Sequence, residues 1–213
     1  MYNVMIVEDQ SMNRQLFEMM ISSSGNYRTV RSIANADMAL FYCKQGGIDL
    51  ILMDVLTAED ASGLDAAERI KKECPRIRII VVTSMPEFSW IERAKQIGAD
   101  SFWYKNVSRI SLIEMMDRTM AGEHIYPDET PGLVFGNTTN HDFTKRELEI
   151  LRELTTGDSN AEIGRRLNIS ANTVRNAIQI MMEKTGFRSR TELAVEARRL
   201  GIVIKDRIND EYD

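Results

Sequence analysis

DLILMDVLTAEDASGLDAAERIKK, residues 49–72, decides the architecture of the first half of the chain. It opens with an unbroken apolar run, LILM, where a half-solvated strand would alternate, so it reads as a central strand covered on both faces. The run stops at Asp54, a loop follows, and LDAAERIKK then takes up helical spacing.

The same strand-then-helix unit recurs on either side. VMIV is followed by MNRQLFEMMI, TVRSI by ADMALFYC, RIIVVTS by EFSWIERAKQI, and SFWYK by ISLIEMMDRTM. Five such pairs predict a (βα)5 doubly wound α/β fold, a parallel sheet wrapped by helices, over residues 1–121. Periodicity stops in GEHIYPDETPGLVFGNTTNHD, so residues 122–142 read as a linker. From 143 to 205 the pattern is helical only, in four segments, which predicts an all-α domain; residues 206–213 are a polar tail.

A length of 213 residues with 43% hydrophobic side chains suits two cores. Charge divides unevenly between them. Residues 1–142 carry 14 basic and 20 acidic side chains, a balance of −6, and residues 143–205 carry 12 and 8, a balance of +4. Only the second half is charged to suit a polyanion. The two cysteines, Cys43 and Cys74, lack metal-ligand spacing and fit a reducing compartment. The N-terminus has no basic region ahead of a long apolar one, and no apolar run approaches the roughly 18 residues a span needs, so a soluble, cytoplasmic chain without membrane contact is expected. Walker-type glycine loops, GxSxG and Cys/His zinc spacings are absent, and no enzyme is expected.

Ligands of a parallel sheet collect at the carboxyl ends of its strands. Those ends carry Glu8 and Asp9, Asp54, Thr83 and Ser84, and Lys105. Converging carboxylates repel one another, so the cluster calls for a cation; Mg2+ suits oxygen ligands and phosphoryl chemistry. A lysine and hydroxyls would take up remaining phosphoryl charge by charge-assisted hydrogen bonds.

With these motifs, residues 1–121 resemble the receiver domain of two-component response regulators. The resemblance implies that Asp54 is the phosphoacceptor, that Glu8, Asp9, Asp54 and the backbone carbonyl of Leu56 bind the metal, and that Thr83, Ser84 and Lys105 receive the phosphoryl group. It also implies a switch role for Phe102, three residues before Lys105. One departure stands out: LTAEDASGLD lacks the proline usual four residues after the acceptor, and Gly63 comes one residue late. A remodelled loop beside Asp54 follows, and with it an alternative in which the receiver is degenerate and DNA binding needs no phosphorylation.

In the second half, NAEIGRRLNISANTVRNAIQIMMEKTG reads as helix, tight turn, helix. Ser159 or Asn160 can cap the first helix and Ser170 the second. Val174, Ala177, Ile178 and Met181 share one face of the second helix, and Asn172, Arg175, Asn176 and Gln179 the other. Arg reaches guanine or phosphate, and Asn and Gln pair with adenine, so the polar face suits a major groove. Thr173 at the helix start, with Lys184 and Arg188 beyond, would hold phosphates. From Phe143 to Val203 the chain is similar to the LuxR-type helix-turn-helix of the NarL/FixJ response regulators, matching in FTKRELEILREL, SNAEIGRRLNIS, NTVRNAI and SRTELAVEARRLGIV. Relatives often have histidine and a basic residue where this chain has Ala177 and Gln179. The resemblance implies a regulator that a sensor histidine kinase phosphorylates at Asp54, that dimerises and binds double-stranded promoter DNA, with RNA polymerase as a further partner.

Overall fold

Val4–Val7 have no exposed surface, and neither do Leu50–Met53 or Ile79–Val82. Side chains buried on both faces of a strand demand cover above and below, and the chain supplies it from helices. In the computed structural model, which describes residues 1–204, strands β1 (Tyr2–Val7), β2 (Tyr27–Ile33), β3 (Leu50–Asp54), β4 (Arg78–Thr83) and β5 (Ser101–Tyr104) alternate with helices α1 (Ser11–Ser23), α2 (Ala39–Lys44), α3 (Gly63–Glu73), α4 (Trp90–Gln96) and α5 (Leu112–Met120). The strands are parallel in the order β2-β1-β3-β4-β5. Order reverses between β1 and β3, so the carboxyl ends of those two strands flank the crevice where ligands bind in such sheets.

Helix starts follow their capping residues. Ser62 accepts from the Asp65 amide and Ser111 from the Glu114 amide, which ties down α3 and α5. At the opposite end of the sheet Asp100 is buried and holds Lys71 at 2.8 Å, Arg78 at 2.6 Å and the Ile79 amide at 2.8 Å. Burial opposes its ionisation, but these donors together keep its carboxyl below the ordinary range.

The stretch expected as a linker carries structure. Ile125 bridges Ser101 in parallel on the free side of β5: the Phe102 amide donates to the Ile125 carbonyl at 2.8 Å, and the Ile125 amide to Ser101 Oγ at 3.2 Å. The Tyr126 hydroxyl donates to the Ala99 carbonyl. Two compact units result, one of Met1–Ser84 and Ser89–Asp128, the other of Met85–Phe88 and the described residues from Glu129 onward. The second begins with a short hairpin, β6 (Val134–Phe135) and β7 (Thr138–Thr139), whose Phe135 is 0% exposed and lies against Phe143 and Phe187.

Four helices complete the second unit among the described residues: α6 (Lys145–Leu154), α7 (Asn160–Arg166), α8 (Ala171–Thr185) and α9 (Arg190–Arg199). Thr144 with Glu147 and Ser159 with Glu162 form capping boxes at α6 and α7, so Ser159 rather than Asn160 is the cap. Between α7 and α8 the chain turns through Asn168 in a left-handed conformation, φ 53°. Gly164 makes this tight turn fit, since a Cβ there would lie 2.7 Å from the Ile169 carbonyl oxygen. Lys205 and the tail 206–213 lie outside the described residues.

Candidate phosphoryl pocket and nucleic-acid interface

Glu8, Asp9 and Asp54 bring one carboxylate oxygen each within 4.8 Å of one another. Glu8 is buried, Asp54 is 6% exposed and Asp9 is exposed. Such a cluster needs positive charge, and Lys105 provides it: its Nζ lies 2.5 Å from Glu8 Oε2 and 2.8 Å from Asp54 Oδ2. The other Asp54 oxygen accepts from the Val55 amide at 2.8 Å. Burial pushes the Asp54 carboxyl well above the ordinary range; Glu8 adds to the rise and Lys105 opposes it.

Two side chains not singled out from the sequence hold the acidic pair in place. Arg14 donates to the carbonyls of Glu8 at 2.5 Å and Asp9 at 2.7 Å, and Asn13 donates to Glu8 Oε1 at 3.2 Å. Both lie in the first turn of α1, close behind the acidic pair, which is the signal that could have found them.

Thr83 is buried at the end of β4, where its carbonyl accepts from the Lys105 amide at 2.9 Å; Ser84 is exposed. Phe102 is buried within the unit, edge-on to Tyr104 with ring centroids 5.1 Å apart. Leu56 is half-buried and bridges Ser62.

The loop after Asp54 carries backbone strain. Glu59 and Asp60 both have positive φ, 63° and 58°, a conformation side chains disfavour. Thr57 holds the loop, its hydroxyl accepting from the Ala36 amide and donating to the Ala61 carbonyl, while Asn35 donates to Glu59 at 3.0 Å. The displaced glycine has a reason: a Cβ at Gly63 would lie 1.7 Å from the Asp54 carbonyl oxygen.

In the second unit α8 buries Val174, Ile178, Met181 and Thr185, with Ala177 half-buried. Asn172, Thr173, Arg175, Asn176 and Gln179 are exposed, as is Arg188 beyond the helix. Ser170 caps α8, accepting from the Thr173 amide at 3.0 Å. Gln179 donates to Glu183 at 3.0 Å. Lys184, expected as a phosphate anchor, has its Nζ 2.8 Å from both oxygens of Glu147 and 3.0 Å from the Asp142 carbonyl, an ion pair inside the unit. Ile180, on neither face in the sequence reading, is 46% exposed.

Comparison with known proteins finds a relative for each half of the chain. Residues 4–117 match the family described as response regulator receiver domain, and residues 141–197 the bacterial regulatory proteins of the luxR family. The response regulator protein VraR of Staphylococcus aureus (strain Mu3 / ATCC 700698) is 29% identical over 199 residues, covering 91% of this chain and 95% of that protein. Among solved structures, a complex of the two-component response regulator RcsB with DNA aligns with a TM-score of 0.62 at 16% identity, over 92% of this chain and 98% of that one. A DNA-binding response regulator of the LuxR family from Staphylococcus aureus aligns with a TM-score of 0.52 at 22% identity, over 56% of this chain and 99% of that one. Among the described residues no helix is long and apolar enough to cross a membrane.

Proposed function

From the premise that the chain belongs to the response regulators, with a receiver domain followed by a luxR-type DNA-binding domain, we propose that phosphoryl transfer to Asp54 controls its binding to promoter DNA. The observation that carries this reading is the joint grip of Lys105 on Asp54 and Glu8. Asp54 is the one carboxylate of the cluster that ends the central strand β3, and its nucleophilic oxygen attacks the donor phosphorus as the bond to the donor's leaving group breaks. Attack needs the ionised form; burial raises the Asp54 pKa in the metal-free pocket, and a cation held beside it would favour the carboxylate.

Lys105 exchanges its bond to Asp54 for one to a phosphoryl oxygen, and the Thr83 and Ser84 hydroxyls take others. Glu8, Asp9, Asp54 and the Leu56 carbonyl would hold Mg2+, which supplies charge neutralisation for the carboxylates and the transferred group. Lys105 cannot be the whole answer to that charge, since one ammonium faces three carboxylates. Phe102 repacks as Thr83 moves toward the phosphoryl group. This biases the receiver toward a form that dimerises, and a dimer sets two copies of α8 on repeated half-sites.

On the DNA side, Asn172, Arg175, Asn176 and Gln179 face base edges, and Thr173 and Arg188 face phosphates. Lys184, committed to Glu147, is better read as holding α8 to α6. The donor in the cell would be a sensor histidine kinase, the location the cytoplasm, and RNA polymerase the next partner once promoter DNA is bound.

The test is incubation with Mg2+ and acetyl phosphate followed by mass spectrometry. One added phosphoryl group, lost in Asp54→Asn, is the expected result. An unmodified wild-type chain that still binds DNA would favour a second reading, a phosphorylation-independent regulator, which the strained Glu59–Asp60 loop beside Asp54 supports.

A further inference from the structure

The outward face of α8 holds one side chain that its polar neighbours do not account for. Val174, Ile178, Met181 and Thr185 are buried. At 3.6 residues per turn, the line opposite them runs through Asn172, Asn176 and Glu183. Ile180 lies about 50° from that line on the Thr173 side, one turn beyond Asn176, with Gln179 about as far to the other side. It is 46% exposed, the one large aliphatic side chain on α8 left so open.

Elsewhere on a protein surface a single exposed isoleucine needs no explanation. Here it lies one turn beyond Asn176, one of the groups proposed above to face the bases. Its neighbours narrow what it could meet. Gln179 has its amide on the Glu183 carboxylate, 3.0 Å away, so the third turn presents one polar pair turned on itself and one apolar group. Isoleucine can neither donate nor accept a hydrogen bond, and the apolar group that a major groove offers is the 5-methyl of thymine.

We propose that Ile180 is a specificity-determining residue that packs on a thymine methyl group. This rests on the DNA reading of α8 given above. It selects thymine over cytosine at one position, and Asn176, one turn earlier, prefers adenine in a nearby pair, so this part of the half-site is A·T-rich.

The full chain can be used to enrich duplexes from a random-sequence pool, and the tightest duplex remade with each thymine in turn replaced by deoxyuridine, which deletes the methyl alone. For wild type, at least one replacement should weaken binding about fourfold, the worth of one buried methyl. In Ile180→Ala, checked for an unchanged melting temperature, the same replacement should cost nothing further. Cytosine at that position should bind poorly and 5-methylcytosine better. A deoxyuridine penalty kept in full by Ile180→Ala, or no penalty at any thymine, overturns the proposal while leaving DNA binding intact. Failure to enrich any duplex removes the proposal together with the reading beneath it.

Discussion

The Asp54 pocket and the outer face of α8 solve opposite problems. The pocket gathers Glu8, Asp54 and Lys105 from strand ends up to 97 residues apart, buries two carboxylates, and lets each side chain hold the next. The face of α8 draws on residues within one helix and leaves them in water, with the buried stripe behind them doing the holding. A site that concentrates like charge must be written into the stability of its domain. A site that reads from a rigid helix can be nearly free of it, because its contacts wait outside the fold.

The sharpest way to break that contrast is Gly63→Ala. The added methyl would meet the Asp54 carbonyl oxygen at 1.7 Å, so a loss of about 3 kcal/mol or more in urea unfolding is expected, with the pocket distorted as well. Next in size, Val174→Ala on the hidden face of α8 should cost about 2 kcal/mol. Arg175→Ala on the open face should change stability by no more than about 0.5 kcal/mol while weakening DNA binding, and gel-shift titrations at several salt concentrations would tell whether it contacts a phosphate or a base.

Asp54→Asn tests the pocket from the other side. A carboxyl whose pKa is raised on folding binds its proton more tightly in the folded chain than in the unfolded one. Its ionisation therefore costs stability as pH rises from the ordinary carboxylate range to its raised value, and the cost persists above it. The amide removes that cost, so the variant should be about 1 to 2 kcal/mol more stable than wild type at pH 8 without Mg2+, with the gain gone near pH 4. An equal difference at both pH values would mean that burial does not penalise the Asp54 charge. A small gain, about 0.5 kcal/mol, is expected of Glu59→Gly, which relieves a left-handed side chain, net of the exposed Asn35 hydrogen bond it loses and the entropy glycine adds to the unfolded chain.

How much of this could be read beforehand follows the same division. Apolar runs such as LILM announce buried strands because a doubly covered strand leaves no polar position, and the strand ends then line up Glu8, Asp54, Thr83 and Lys105 without knowledge of any contact. The α7 and α8 pair was equally plain from its caps and spacing. The order within 122–142 was not: strands of two residues have no period, and Phe135 gives no local sign that it fills a core formed with Phe143 and Phe187. The ion pair of Lys184 was not legible either, because its partner, Glu147, is 37 residues away. Ile180 escaped because spacing sorts residues by type, and an apolar residue on a polar face belongs to neither list.

The bridge between Ile125 and Ser101 bears on how the molecules behave in a crowd. A sheet ends in strands whose outer amides and carbonyls can recruit a strand from another chain, and the resulting growth is the route to aggregates. β5, with Phe102, Trp103 and Tyr104 in sequence, would be an inviting end; Ile125 occupies part of its backbone before any neighbour can. At the other end, β2 carries exposed Arg28 and Arg31, whose charge discourages a second copy from pairing in register. One end of the sheet is sealed by main chain and the other guarded by charge, so shortening the first unit at residue 121 would remove the seal and leave its most aromatic strand open to addition.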